Sequence, residues 1–461
     1  MEEYGLPNTE KFASKLTEIA DYAFSYGFDS IADVQRQKPG QEWTTEEMKF
    51  FMDKCRVGFK CAQNLLIEEV LFYQRKSNEN KEAVKEYRSK HNKPKTKELL
   101  DIGKVISRRL HNLSHVADGM VIQMLSQNVH VAKRLHIGEK SNKQLENSNL
   151  KHAIEISDQL NKDPGTFALI SDLTSYVQIG DLLVSDNKRG LYISELKEGK
   201  TNERIRQFID LTLEKGMPCA GFQIDFTERE REQLRRMLRQ DIRAHQAIEV
   251  INSDRGTDAT TGTEITVNTP TIDLVYYDGI FLKMLKELEE KKWSYRLLED
   301  TVHIGLYCGE MAYAMAKATI PMILKRQSED HIVIDLMQIT EDLSETLFAK
   351  PLPRDFVIKI MTGQIKAVIG INLEELIKVF NANGLKTRWL STKETAKMKA
   401  KAKGVNIVTS KNRAIGIELP TGEEAVVSGG IISKIAFDSI LPSSLAESMA
   451  TAKPPLGANN K

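Results

Sequence analysis

The feature that most constrains this chain is the run Ile179–Lys200, I-G-D-L-L-V-S-D-N-K-R-G-L-Y-I-S-E-L-K-E-G-K. Two short apolar runs, Ile179–Val184 and Leu191–Leu196, flank a polar stretch, Ser185–Gly190, rich in Asp, Asn and Gly. That pattern predicts a β-hairpin whose loop is slightly longer than the tightest type. Side chains two apart on a strand share a face, so Glu195 and Lys197 of the second strand project together. Asp181 on the first strand can join them. An acid facing an acid-x-lysine strand suits metal-dependent hydrolysis. Carboxylate oxygens hold Mg²⁺, and a lysine helps orient water or offsets developing charge.

The elements around the hairpin follow a consistent order. Leu150–Leu160 reads as a helix, and the pattern changes at Asp163-Pro164-Gly165. Thr166–Thr174 is apolar and fits either a strand or a helix. After the hairpin, Asn202 is a good N-cap for a helix carrying Ile205, Phe208, Ile209 and Leu213 and closed by Gly216. Pro218–Phe226 then reads as a further strand. Thr227–Arg243 is strongly helical and carries Arg229, Arg231, Arg235, Arg236, Arg239 and Arg243. Two readings of it stay open: a solvated face paired with Glu228, Glu230 and Glu232, or phosphate contact beside the hairpin.

Upstream, residues 1–150 read as a helical module. Thr44 and Glu47 form a capping box, and Met48, Phe51, Met52, Cys55, Phe59, Ala62, Leu66 and Val70 follow at three-and-four spacing. Arg75–Glu98 is polar and lysine-rich, a solvated helix end and connector. Leu99, Ile102, Ile106, Leu110, Leu113, Ala117, Met120 and Met124 mark a second long helix, expected to pack antiparallel to the first. His111 and His115 are four apart, a spacing that suits a metal site. No glutamate stands between them and no third ligand is evident, so they read as polar helix-surface residues.

Downstream, the chain reads as a second mixed region. Gly256–Pro270 fits a β-ribbon or loop; Phe281–Tyr295 and Thr301–Leu324 read as helices; His331–Met337 reads as a strand. Pro353–Gly363 and Leu373–Asn383 are short helices, and strands are expected at Val405–Thr409, Ala414–Leu419 and Glu424–Val427.

Composition excludes several classes. A net charge of +1 on 461 residues argues against a wholly basic, histone-like protein. Four scattered cysteines without a C-x-x-C pair make a disulfide framework or zinc ribbon unattractive and fit a reducing cytoplasm. The acidic N-terminus lacks an apolar run, and Ile304–Leu324 is interrupted by Glu310 and Lys317, so neither a signal peptide nor a membrane span is expected. Gly199-Lys200-Thr201 lacks the first glycine of a phosphate-cradling loop, and no aromatic platform supports glycoside hydrolysis.

The hairpin resembles the PD-(D/E)XK nuclease superfamily, the fold of many restriction and repair nucleases. The matching residues are Gly180-Asp181 and, thirteen residues later, Glu195-Leu196-Lys197, with a glycine where the name-giving proline would stand. The resemblance covers only the region around residues 150–226. It implies a restriction-endonuclease-like mixed-sheet core with its basic helix (151–250). Joined to the patterns read above, it gives an expected mixed α/β, α+β chain with a helical N-terminal bundle (1–150), that core, a C-terminal α/β accessory region (251–440) and a disordered tail (441–461).

By the same resemblance, Asp181, Glu195 and the backbone carbonyl of Leu196 would hold Mg²⁺, for which Mn²⁺ can substitute. Lys197 would position the attacking water or stabilise the pentavalent phosphate. The family often adds an acid from the preceding helix, for which Glu155 is the first choice and Asp158 the next. Gln207 would contact the metal-bound water or the DNA backbone, Lys200 and Arg204 suit phosphate contact, and Arg235, Arg236 and Arg239 would hold the strand. The implied activity is that of a Mg²⁺-dependent endodeoxyribonuclease. RNA is not excluded as substrate, homo-oligomers or a partner protein would form through the helical module, and the setting is antiphage defence or a mobile element. A non-catalytic nucleic-acid-binding or scaffold protein that keeps the nuclease fold is the alternative; the intact acid-acid-lysine set argues against it.

Overall fold

A computed structural model of the chain describes residues 4–30, 44–125, 135, 150–175, 177, 180–196, 204, 205, 208, 226–253, 255–257, 264–266, 272–337, 346–401, 406–420, 422 and 424–451. The protein is mixed α+β, with helices at the N-terminal side and several antiparallel sheets. It divides into two compact units, Met1–Leu6 with Ser14–Val267, and Pro7–Ala13 with Asn268–Lys461.

The first unit is built on two long helices. After α1 (Thr9–Phe24) and α2 (Tyr26–Ser30), α3 runs from Thr45 to Ser89. Its N-terminus carries the expected capping box: Thr44 Oγ1 accepts the Glu47 N–H at 3.2 Å, and Glu47 Oε2 accepts the Thr44 N–H at 2.9 Å. The polar stretch Arg75–Glu98, expected as a helix end and connector, is helical through Ser89 and again from Lys93. Ion pairs Lys76–Glu79, Lys85–Glu82 and Lys90–Glu86 support it at helical spacing. The connector therefore shrinks to Lys90–Asn92, where Asn92 caps α4 (Lys93–Met124) by accepting the Lys95 N–H at 3.2 Å.

So short a turn makes α3 and α4 antiparallel neighbours. Cross-links confirm the register: Arg109 donates to the Tyr73 hydroxyl at 3.1 Å, and Asn80 donates to the Leu99 carbonyl at 3.1 Å. Phe59, Ala62, Leu66 and Val70 of α3 are buried, as are Leu99, Ile106, Leu113, Ala117 and Met120 of α4. Each large side chain of this kind contributes about 1.5–3 kcal/mol. Met48 and Met52 do not join the stripe and are exposed.

α5 (Leu150–Leu160) leads into an antiparallel meander of β1 (Thr166–Ile170), β2 (Leu182–Asp186) and β3 (Gly190–Ser194). Thr166–Thr174, ambiguous in sequence, is thus strand β1 followed by a 3-10 turn at Ser171–Leu173. The hairpin register pairs Leu182 with Ser194 and Asp186 with Gly190. Asp186 closes the loop by accepting the Lys188 and Arg189 amides at 2.7 and 2.9 Å, and those amides hold its carboxyl below the usual range. Gly190 returns the chain at φ +78°, a left-handed conformation that favours glycine.

All of β1 is buried, and side chains rather than another strand satisfy its outer edge. Gln63 of α3 donates to the Ala168 carbonyl at 3.1 Å and accepts the Ile170 N–H at 2.9 Å. Ser157 of α5 donates to the same carbonyl at 2.9 Å, and Asn161 accepts the Ala168 N–H at 2.8 Å. The edge is closed to further pairing. Beyond the meander come α6 (Glu228–Ser253) and a two-stranded ribbon of β4 (Arg255–Thr257) and β5 (Glu264–Thr266).

The second unit contains α7 (Asp278–Lys291), β6 (Trp293–Leu298), β7 (Val302–Cys308), α8 (Ala312–Gln327), β8 (His331–Asp335), α9 (Arg354–Met361), β9 (Ile365–Asn372) and α10 (Leu373–Ala382). It continues with β10 (Lys386–Trp389), α11 (Thr392–Lys401), β11 (Thr409–Ser410), β12 (Arg413–Glu418), β13 (Glu424–Val426), α12 (Gly429–Ala436) and α13 (Pro442–Ala450). One antiparallel sheet has the order β6-β7-β9-β8; a second has β10-β12-β11, with β13 also on β12.

Two helical expectations fail here. Phe281–Tyr295 stops at Lys291, because Lys292 turns left-handed (φ +61°) and Trp293 enters β6. Thr301–Leu324 divides into strand β7 and helix α8, separated by Gly309 at φ +82°. β9 lies beside β7 at the centre of its sheet and matched no sequence expectation. β7 and β9 carry apolar residues on both faces, so neither shows the alternation that marks a half-buried strand. Residues 442–450, assigned to a tail, are helix α13; 452–461 lie outside the described residues.

Candidate active site

The hairpin brings two of the three expected acid-acid-lysine residues to one place. Asp181 stands immediately before β2 and Glu195 immediately after β3, so both sit at the open end of the hairpin rather than within its strands. The ladder ends on Leu182–Ser194, and the Asp181 N–H donates to the Ser194 carbonyl at 2.9 Å. Gly180 precedes at φ +73°; a Cβ there would lie 2.2 Å from Ile193 Cγ2, so glycine is required twice over.

The Asp181 carboxylate turns back across the hairpin. Its Oδ2 accepts the Leu196 N–H at 2.6 Å, which fixes the carboxylate beside the Glu195-Leu196 peptide. On the other side, the Asp181 carbonyl accepts the Ser171 N–H at 2.9 Å, clipping it to the turn after β1. Asp181, Glu195 and Leu196 are all half-buried. Asp181, Glu195 and the Leu196 carbonyl offer only oxygen donors, the ligand chemistry that suits a hard divalent cation such as Mg²⁺. Lys197, Lys200 and Gln207 lie outside the described residues.

The helix-borne acids are placed differently. Ala153 and Ser157 face β1, whereas Glu155 and Asp158 are exposed. Among the described residues no group of three His, Cys, Asp or Glu side chains is placed to hold a metal ion.

The arginines divide between anchoring and exposure. Arg204 pairs with Glu230 at 2.8 Å and lies over the Phe226 ring at 5.0 Å. The pairing ties Arg204 to α6, whose Leu234, Met237 and Leu238 pack with Ile205, Phe208 and Phe226. Arg231 donates to the Phe226 carbonyl at 3.0 Å. Arg235 and Arg239 are exposed one helical turn apart, while the side chain of Arg236 lies outside the described residues.

The histidines of α4 are not surface residues. His115 is 1% exposed, and its Nε2 lies 2.7 Å from His111 Nε2. Its Nδ1 lies 3.4 Å from Oδ2 of Asp118, a carboxylate with no exposed surface. Burial lowers His115 well below the usual imidazole range and His111 to about 4, and pushes Asp118 up to about 7. Asp118 accepts both the Ser175 N–H at 2.8 Å and the Ser175 hydroxyl at 2.6 Å. A lone acid inside the apolar run Val116–Ile122 was the available signal for this cluster. The α3–α4 stripe turned these residues inward against the segment leading to Asp181.

No family model matches the chain, and neither a curated protein nor a solved structure does. Among the described residues no helix is long and apolar enough to cross a membrane.

Proposed function

We propose that this protein is a Mg²⁺-dependent nuclease with a PD-(D/E)XK core that hydrolyses DNA phosphodiester bonds. The observation that carries the reading is the corner at the hairpin mouth, where Asp181 and Glu195 adjoin and Asp181 Oδ2 is held on the Leu196 N–H. A helix followed by a three-stranded antiparallel meander agrees with the start of such a core.

In this reading Asp181, Glu195 and the Leu196 carbonyl hold the cation, which when bound supplies charge neutralisation at the scissile phosphate. Lys197 orients the attacking water by hydrogen bonding. Exposed Arg235 and Arg239 hold the phosphate backbone through charge-assisted bonds. Arg204 instead anchors α6, so its removal acts on the position of that helix.

The test is cleavage of supercoiled and linear DNA with Mg²⁺, Mn²⁺ or EDTA, comparing wild type with Asp181→Ala and Lys197→Ala. Metal-dependent nicking that both substitutions abolish is the expected result. Cleavage that survives both places the chemistry elsewhere. DNA binding without cleavage in any metal identifies a scaffold that keeps the fold.

A further inference from the structure

Asp118 is a carboxylate buried in a helix pair whose other contacts are largely apolar, and a buried carboxylate is costly unless its oxygens are satisfied. Both oxygens accept from one residue: Oδ1 from the Ser175 N–H and Oδ2 from the Ser175 hydroxyl. Ser175 ends a turn that is itself closed, since Thr174 donates its amide and hydroxyl to the Ser171 carbonyl at 3.0 and 2.7 Å. The Val177 N–H continues the fastening by donating to Thr174 Oγ1 at 3.0 Å. From the same turn the Ser171 N–H holds the Asp181 carbonyl at 2.9 Å, and Asp181 Oδ2 holds the Leu196 N–H at 2.6 Å. Hydrogen bonds linked through the main chain of residues 171–175 thus run from helix α4 to both strands of the hairpin mouth.

We propose that Asp118 is a positioning residue for the Asp181–Leu196 corner, holding it through Ser175 and the turn at residues 171–175. Asp118 touches none of the reacting groups. It sets where the Asp181 main chain is clipped, and hence where the Asp181 carboxylate meets the Leu196 amide. His115 Nδ1 lies 3.4 Å from Asp118 Oδ2, and His111 lies against the far side of the His115 ring. The link between α4 and the corner stands on the geometry alone; its consequence for metal binding rests on the nuclease reading.

The experiment uses the full chain as wild type, Asp118→Ala, Asp118→Asn, Ser175→Ala and Asp181→Ala. Amide-resolved hydrogen exchange reads the corner, and Mn²⁺ titration by calorimetry reads the site. Asp118→Ala should speed exchange at Ser175 and Leu196 about tenfold or more while the amides of α3 and α4 stay protected. It should also raise the Mn²⁺ Kd about tenfold. Asp118→Asn, which keeps one acceptor oxygen, should fall between. Ser175→Ala removes the hydroxyl bond alone and carries the same comparison if Asp118→Ala does not fold. Faster exchange at Ser175 with unchanged exchange at Leu196 overturns the proposal. If wild type and Asp181→Ala show the same Mn²⁺ isotherm, the nuclease reading fails, and the exchange result still decides whether Asp118 holds the corner.

Discussion

Gln63 offers the sharpest test of how the meander is held on the helical pair. Its side chain, 2% exposed, donates to Ser157 Oγ at 2.9 Å and to the Ala168 carbonyl at 3.1 Å, and accepts the Ile170 N–H at 2.9 Å. Replacement by leucine keeps the volume and removes every one of these bonds. The Ala168 carbonyl retains Ser157 as a donor, so the group left without its partner is the Ile170 N–H. An orphaned buried amide costs about 1–3 kcal/mol, and the lost bonds to Ser157 and Ala168 contribute about 1 kcal/mol more. Gln63→Leu should therefore destabilise the β1 region by about 2–4 kcal/mol. Native-state hydrogen exchange at the β1 amides reads this directly, as opening more frequent by tens to hundreds of fold. Ser157→Ala is the control: it leaves Gln63 on both β1 groups and should cost about 1 kcal/mol. Equal effects of the two substitutions, or a Gln63→Leu effect below about 1 kcal/mol, would refute the edge-capping argument.

The buried ionisable groups and the close backbone approaches give three further outcomes. His111 titrates near 4 in the folded protein and near 6.5 unfolded, so its contribution to stability is full above pH 6.5 and is lost as pH falls toward 4. Asp118 has the opposite sign: its folded value near 7 means stability declines as pH rises from about 4 to 7. Relative to wild type, urea midpoints measured from pH 4.5 to 7 should thus rise less with pH in His111→Gln and rise more with pH in Asp118→Asn; curves parallel to wild type refute both assignments. In the second unit, Gly370→Val should cost about 1–3 kcal/mol, because a Cβ there lies 2.5 Å from Leu324 Cδ1 and 2.6 Å from Ile320 Cγ2. A thermal midpoint equal to wild type would show that α8 can yield. Lys350→Met strands Asp278, which sits 3.1 Å from Lys350 Nζ, and should cost about 3–5 kcal/mol. The double variant with Asp278→Leu should recover most of that loss in the same melts.

Local chemistry was legible in the sequence. The Thr44–Glu47 box, the stripe from Phe59 to Val70, and the Asp-Asn-Gly loop between Val184 and Leu191 each depend on residues a few positions apart. Capping, helical periodicity and turn conformation act over that range, so the helix pair and the hairpin could be read directly. What escaped depended on partners far along the chain. β7 pairs with β9 from beyond α8, β8 and α9, and both strands are buried on both faces, which erases the alternation that betrays a surface strand. His115 and Asp118 look like polar helix residues until the packing of α4 buries both and sets Asp118 against Ser175. Asp181 and Glu195 were legible as a pair, because a hairpin must bring its two ends together. The hold on that pair from α4, and the outward position of Glu155, were decided only by tertiary packing, since a helix presents every side chain to some direction and the sequence alone does not say which direction faces the sheet.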